Sequence, residues 1–185
     1  MKSLRFTLAL AVLLISNLAM AQADSPKPSD SQKSFEKLKS LAGTWEGRVT
    51  TDPVAKDIQG KTATVVLRAT SMGNALLHEM NVSGRPDDPI TMLYMEGDKL
   101  TLTHYCDAGN RPRMIATASP DGKTVNFELV DVSGPMKYGH MHHAIFTFID
   151  ADHHTEEWTY MGGEKAIHAH FELTRKKDGP QPEGK

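Results

Sequence analysis

The stretch PITMLYMEGDKLTLTHYC, from Pro89 to Cys106, decides how this chain folds. On one side of Gly97-Asp98, Leu100, Leu102 and His104 share a parity, and Thr101, Thr103 and Tyr105 take the other. A period of two is that of a β-strand with one buried face. A short polar, glycine-bearing break between two such runs is a hairpin signal. The same pattern extends in both directions. TWEGRVTT, TATVVLRATS and ALLHEMNV precede the stretch; RMIATAS, TVNFELVDV, HMHHAIFTFI, TEEWTYM and AIHAHFELTR follow it, with PDGK, DADH and MGGEK as further turns. SFEKLKSLAG is the exception: Phe35, Leu38 and Leu41 are spaced like a helical face, and Gly43 is a stop. The expected fold is therefore all-β, an antiparallel up-and-down barrel of about ten strands with one short N-terminal helix. Closing the sheet removes its exposed edges, and a two-sheet sandwich is the alternative.

The chain has 185 residues. MKSLRFTLALAVLLISNLAMAQA carries Lys2 and Arg5, an apolar run from Leu8 to Ile15, and small residues at Ala19 and Ala21. That is the order of a secretory signal peptide, too short in its apolar part for the ~20 residues of a membrane span. Cleavage after Ala21 or after Ala23 fits equally, so residues 1–23 are expected to be a signal peptide and the protein to be exported, periplasmic or secreted. Residues 24–34 read as a flexible leader, 35–176 as the barrel domain and 177–185 as a disordered tail. Net charge is −2 with acids and bases interspersed, so no electrostatic footprint for nucleic acid is present. Cys106 is the only cysteine, so no internal disulfide forms and the core must hold the domain together. A monomer or weak dimer without stable membrane insertion is expected, with a small molecule as partner.

Leu41-Ala42-Gly43-Thr44-Trp45-Glu46-Gly47 after the helix resembles the opening of calycin-type barrels, the lipocalin and fatty-acid-binding-protein superfamily. The resemblance implies a Trp on the first strand covered by a basic residue of the last strand, a place that Arg175 in FELTR matches. The chain is also similar to a set of exported bacterial proteins with a lipocalin-like domain and no assigned activity. Leu102-Thr103-His104-Tyr105-Cys106, Asn110-Arg111-Pro112-Arg113-Met114, Gly139-His140-Met141-His142 and Glu157-Trp158-Thr159 carry that similarity. The nitrobindin branch of the calycins, which binds haem, shares the G-x-W-x-G opening, and His168 stands roughly where its haem ligand would. Arg48-Val49-Thr50-Thr51-Asp52-Pro53 departs from that branch's pattern.

Nine histidines invite the question of which way each ring points. His104 alternates with leucines and faces inward; His78 shares a face with Leu76, Met80 and Val82. His140 and His142 share parity with Ala144, Phe146 and Phe148, so they too are expected inside. Ile167, Ala169, Phe171 and Leu173 make an apolar face that puts His168 and His170 outside, while His153 and His154 fall in or beside a turn. One interior space should thus hold His104, His140 and His142 but not His153, His154, His168 or His170. If a metal binds, these three imidazoles are the expected ligands, with carboxylate help from Glu156, which shares parity with Trp158. Cys106 near Arg113 is either a lowered-pKa thiol or a small buried hydrophobe.

Two function classes remain. One is a binding barrel whose pocket uses His78, His104, Cys106, Arg113, His140, His142, Glu156 and Trp158, lined by some of the ten methionines and suited to an apolar or amphipathic molecule, with an anionic one among the alternatives. The other is a haem- or divalent-metal-binding barrel, or an enzyme with His104 or His142 as general base or metal ligand. Binding asks only for a cavity with a few convergent polar groups, so it is preferred, with no cofactor required.

Overall fold

Ten alternating runs become ten strands. The computed structural model describes residues 27–177; the expected signal segment and the tail beyond residue 177 lie outside the described residues. A helix, α1 (Asp30–Lys39), precedes β1 (Gly43–Asp52), β2 (Thr62–Thr70), β3 (Ala75–Val82), β4 (Ile90–Glu96) and β5 (Lys99–Tyr105). Then come β6 (Arg111–Ala118), β7 (Thr124–Ser133), β8 (His140–Phe148), β9 (His153–Gly162) and β10 (Lys165–Arg175). Each strand pairs antiparallel with its chain neighbours, and β10 returns to β1, so the sheet is a closed up-and-down barrel.

The helix begins earlier than its apolar spacing suggests. Ser29 and Gln32 form a reciprocal cap: the Gln32 N–H donates to Ser29 Oγ (3.2 Å) and the Ser29 N–H to Gln32 Oε1 (2.8 Å). Cap chemistry sets the first turn, so residues 30–34, expected in the leader, are helical. Phe35, Leu38 and Leu41 are buried and stopper one end of the barrel, beside the β2–β3, β4–β5, β6–β7 and β8–β9 turns. Trp45, Leu67, Leu76, Leu93, Leu102, Phe127 and Phe146 fill the half next to the helix. The other end carries the loops 53–61, 83–89, 106–110, 134–139 and 163–164, and among the described residues no helix crosses it.

Trp45 is fully buried, donates its indole N–H to the Leu41 carbonyl (2.8 Å) and lies under the Arg175 guanidinium, 4.1 Å from the ring centre. Arg175 faces Trp45 in the β1–β10 register and donates to the carbonyls of Ala42 (2.8 Å) and Ala151 (2.9 Å). The cation is thus stacked on an aromatic face while satisfying carbonyls at the helix exit. Both glycines of the G-x-W-x-G stretch make room for β10. A methyl at residue 43, where φ is +140°, would stand 2.7 Å from an Arg175 guanidinium nitrogen, and one at residue 47 would stand 1.8 Å from the Glu172 carbonyl oxygen. Backbone cannot yield as a side chain can. Gly47→Ala is therefore expected to cost more than about 3 kcal/mol, well beyond the usual effect of such a change in a strand. Urea unfolding followed by circular dichroism measures it; a loss of under about 1 kcal/mol would show that β1 and β10 are not so closely apposed.

Candidate binding site

Three neighbouring strands place three polar side chains in a row. The register sets His78 of β3 opposite Thr91 of β4, and Thr91 opposite His104 of β5, all on the inner face. From the far side of the barrel β9 sends in His154, Glu156 and Trp158 at the two-residue spacing of one face. Glu156 is completely buried. The Trp158 Nε1–H donates to its Oε2 (2.9 Å); His78 Nε2 stands 2.9 Å from the same oxygen, and His154 Nε2 3.1 Å from Oε1. An ionised carboxylate only accepts, so both imidazoles donate through Nε2–H. Burial, the largest single influence, would raise the Glu156 pKa. The charge of His78 and the hydrogen bonds from His154 and His78 outweigh it and hold the group well below the ordinary carboxylate range.

This node links both ends of the molecule. His154 meets Trp45 edge to face at 4.2 Å, and Trp158 lies 5.6 Å from both the His78 and the His104 rings. Above Trp158 the packing stops. A cavity of about 330 Å³ opens toward the helix-free end, with His78, Thr91, His104 and Trp158 in its wall and Met80, Met141, Ile167 and Phe171 as its apolar part. Thr91 Oγ1 and His104 Nδ1 are 2.9 Å apart, so the other ring nitrogen of His104 is left for the cavity. Burial first, and the neighbouring His78 charge second, lower the His104 pKa to about 4, so its ring is neutral at physiological pH. Cys106 also lines the cavity; burial raises its thiol pKa above the ordinary value, against the reading of an activated nucleophile.

Four expectations are corrected. His140 and His142 do not share the space of His104. In the β8–β9 pairing Met141 faces Tyr160 and His143 faces Thr159, so His142 is an extra residue, a β-bulge. The bulge resets parity: Met141 lines the cavity and Ala144 is buried, while His140 and His142 are partly exposed and pair with one another, Nε2 to Nδ1, at 3.2 Å. Arg113 lies on the outer surface, bound to Glu96 (2.9 Å) and Asp131, because Pro112 and Met114 take the inner face of β6. His154, expected in a solvated turn, is buried as the first inward residue of β9. The proposed ligand set of His104, His140 and His142 is not assembled, and among the described residues no three His, Cys, Asp or Glu side chains are grouped to hold a metal. His168, exposed, has its Nδ1 3.0 Å from Thr159 Oγ1 on the outer face, and His170 and His153 lie at the surface as expected.

Sequence reasoning also missed the mouth of the cavity. Arg85 reaches Asp87 (3.0 Å), Asp57 (2.9 Å) and Asp107 (2.8 Å), drawing three loops together. Loop residues carry no periodic signal, so nothing in the sequence pairs them. His154 had one, its spacing from Glu156 and Trp158, hidden by the run DADHH that resembles a turn. A haem does not fit: its two carboxylates would meet an acidic mouth, and the histidine in the nitrobindin position is outside the barrel.

No protein-family model matches the chain. No curated protein matches it either. Among solved structures it is similar to a protein of unknown function from the DUF3598 family of Nostoc punctiforme, with a TM-score of 0.53 and 12% identity, over 75% of this chain and 48% of that one. The chain thus spans about half the length of that neighbour, and at this identity the likeness is one of fold. A "putative outer membrane protein" from Bacteroides fragilis aligns at a TM-score of 0.18 and 9% identity, over 76% of this chain and 99% of that one, too low for a structural argument.

Neutral His104 carries a pH signature. The unfolded chain binds a proton at the ordinary value of 6.5, the folded chain only at about 4. Between these values the unfolded state holds more protons, so stability falls as pH drops through this window, by about 3 kcal/mol in total. Glu156 acts in the same direction but only below its ordinary 4.5. His104→Gln should therefore flatten the loss between about pH 6.5 and about pH 4.5. Urea midpoints of both proteins across that range test this; parallel curves would mean that His104 titrates normally.

Proposed function

We propose that this chain is a calycin-type barrel that works outside the cytoplasm as a small-molecule binder, taking an apolar or amphipathic ligand in the cavity over His104 and Trp158. The observation that carries this reading is the change in packing along the barrel axis. One half is filled by large apolar side chains, whereas the other opens into a 330 Å³ space with an apolar wall and a few polar groups. Concave, largely apolar space with sparse, placed polar groups is the signature of a ligand site. The calycin relationship is supported by the helix stopper and by Arg175 over Trp45, and export by the residue order of the first 23 positions.

Binding is favoured over catalysis by His104 itself. A ring that takes a proton only near pH 4 is a weak general base at neutral pH. It remains a good hydrogen-bonding group for a bound molecule.

Phenylnaphthylamine, a neutral apolar fluorophore, is expected to bind saturably with a rise in emission. Ala169 lines the cavity, so Ala169→Phe fills it and should weaken binding about tenfold or more while circular dichroism stays unchanged. Absence of saturable binding, or equal binding by a folded Ala169→Phe protein, would remove the reading. Export is checked separately: N-terminal sequencing of protein recovered outside the cytoplasm should begin at Gln22 or Asp24, and a chain still starting at Met1 would contradict it.

A further inference from the structure

The mouth of the cavity has a charge of definite sign. The charged side chains that line it there are Asp57, Arg85, Asp87 and Asp107. Three carboxylates face one guanidinium, which leaves an excess of two negative charges. Lys56, Lys61 and Lys137 stand on loops of the same end but do not line the cavity. Arg85 uses its nitrogens on all three acids, yet each carboxylate has lone pairs to spare. Asp57 and Asp107 stay 64% and 45% exposed, open to an incoming group.

The wall beneath has hydrogen-bonding capacity that the protein does not use. His78 and His104 are 2% and 5% exposed and both line the cavity. His78 Nδ1 has no partner among the described residues, and one ring nitrogen of His104 is left over after Thr91. Buried polar atoms are ordinarily satisfied; the unpartnered His78 Nδ1, in a ring that lines the cavity, therefore points to a bound molecule there. Trp158 and Tyr160 are also in the wall, and aromatic rings of this kind attract positive charge.

We propose that the ligand is a cation, a protonated amine or quaternary ammonium group on an apolar body. Its charge sits among Asp57, Asp87 and Asp107, and its body lies against Trp158, Ile167 and Phe171. The proposal rests on the binding reading above and reverses the sign that the sequence suggested. Low-dielectric walls strengthen the field of the mouth, so an anion of the same shape is repelled from the place where the cation is held.

Isothermal titration with three probes of one shape tests it: naphthylmethylammonium, naphthylmethanol and naphthoate. The ammonium is expected to bind about tenfold or more tightly than naphthoate at low salt, with the alcohol between them. That ratio should shrink as salt is raised and fall toward one in the double variant Asp57→Asn, Asp107→Asn. The salt series on the native protein gives the answer even where the double variant fails to fold. Equal affinity for all three probes, or tighter naphthoate, would overturn the cation assignment and leave the binding reading standing. Binding by none of them would overturn both.

Discussion

A carboxylate with no access to solvent sits inside the barrel, and the side chains around it are arranged to hold it. Glu156 is tolerable there because three N–H groups, from Trp158, His78 and His154, converge on its two oxygens. An unpaired buried charge is strongly destabilising, and removing one partner of a buried pair costs about 3–5 kcal/mol. The cluster therefore fixes the rotamers of the side chains that it recruits. His154 is held against Trp45, which lies under Arg175 and next to the helix exit. His78 and Trp158 are held on the other side, where they become cavity wall. One ionised group thus ties the stoppered end to the cavity and keeps the wall rigid, a condition for a preformed site.

The inserted residue in β8 has the second-largest consequence. Without it, strict alternation would turn His140 and His142 inward and Met141 outward. With it, methionine enters the cavity and the imidazoles leave. The residues that hold the start of this strand are architectural. Asn110, itself buried, donates to the carbonyls of Pro135 (2.8 Å) and Gly139 (2.7 Å). Gly139 has φ +89° and no room for a side chain, since a methyl there would meet the Met161 carbonyl at 2.1 Å. The motif around Asn110 and that around Gly139 are joined in this one contact, which presents Met141 to the cavity.

Much of the candidate site was legible in alternation. His78 and His104 keep apolar company at spacing two, Glu156 shares parity with Trp158, and all four lie inside. Arg113 was legible by the same rule, since Pro112 and Met114 flank it on the inner parity; proximity to Cys106 in sequence was the poorer guide. His140 and His142 were not legible, because a bulge changes parity without changing composition. The Arg85 cluster was not legible either: Asp57, Asp87 and Asp107 come from three loops brought together only when the barrel closes.

By itself the sequence determined the strands, their order and, outside the bulged start of β8, the identity of the buried face, because the period of two is a local property of the backbone and hairpin turns join neighbours in chain order. The meeting of Trp45 and Arg175 was an expectation of the calycin resemblance, and it is met because closing the meander brings its first and last strands together. Tertiary structure alone decided which polar groups share a space and what charge surrounds it. Hydrogen bonds to Glu156 come from three positions, two on its own strand and one 78 residues away, and the mouth gathers carboxylates from separate loops. Such convergence depends on register, bulges and loop paths, which are set by packing of the whole barrel and leave no periodic trace along the chain.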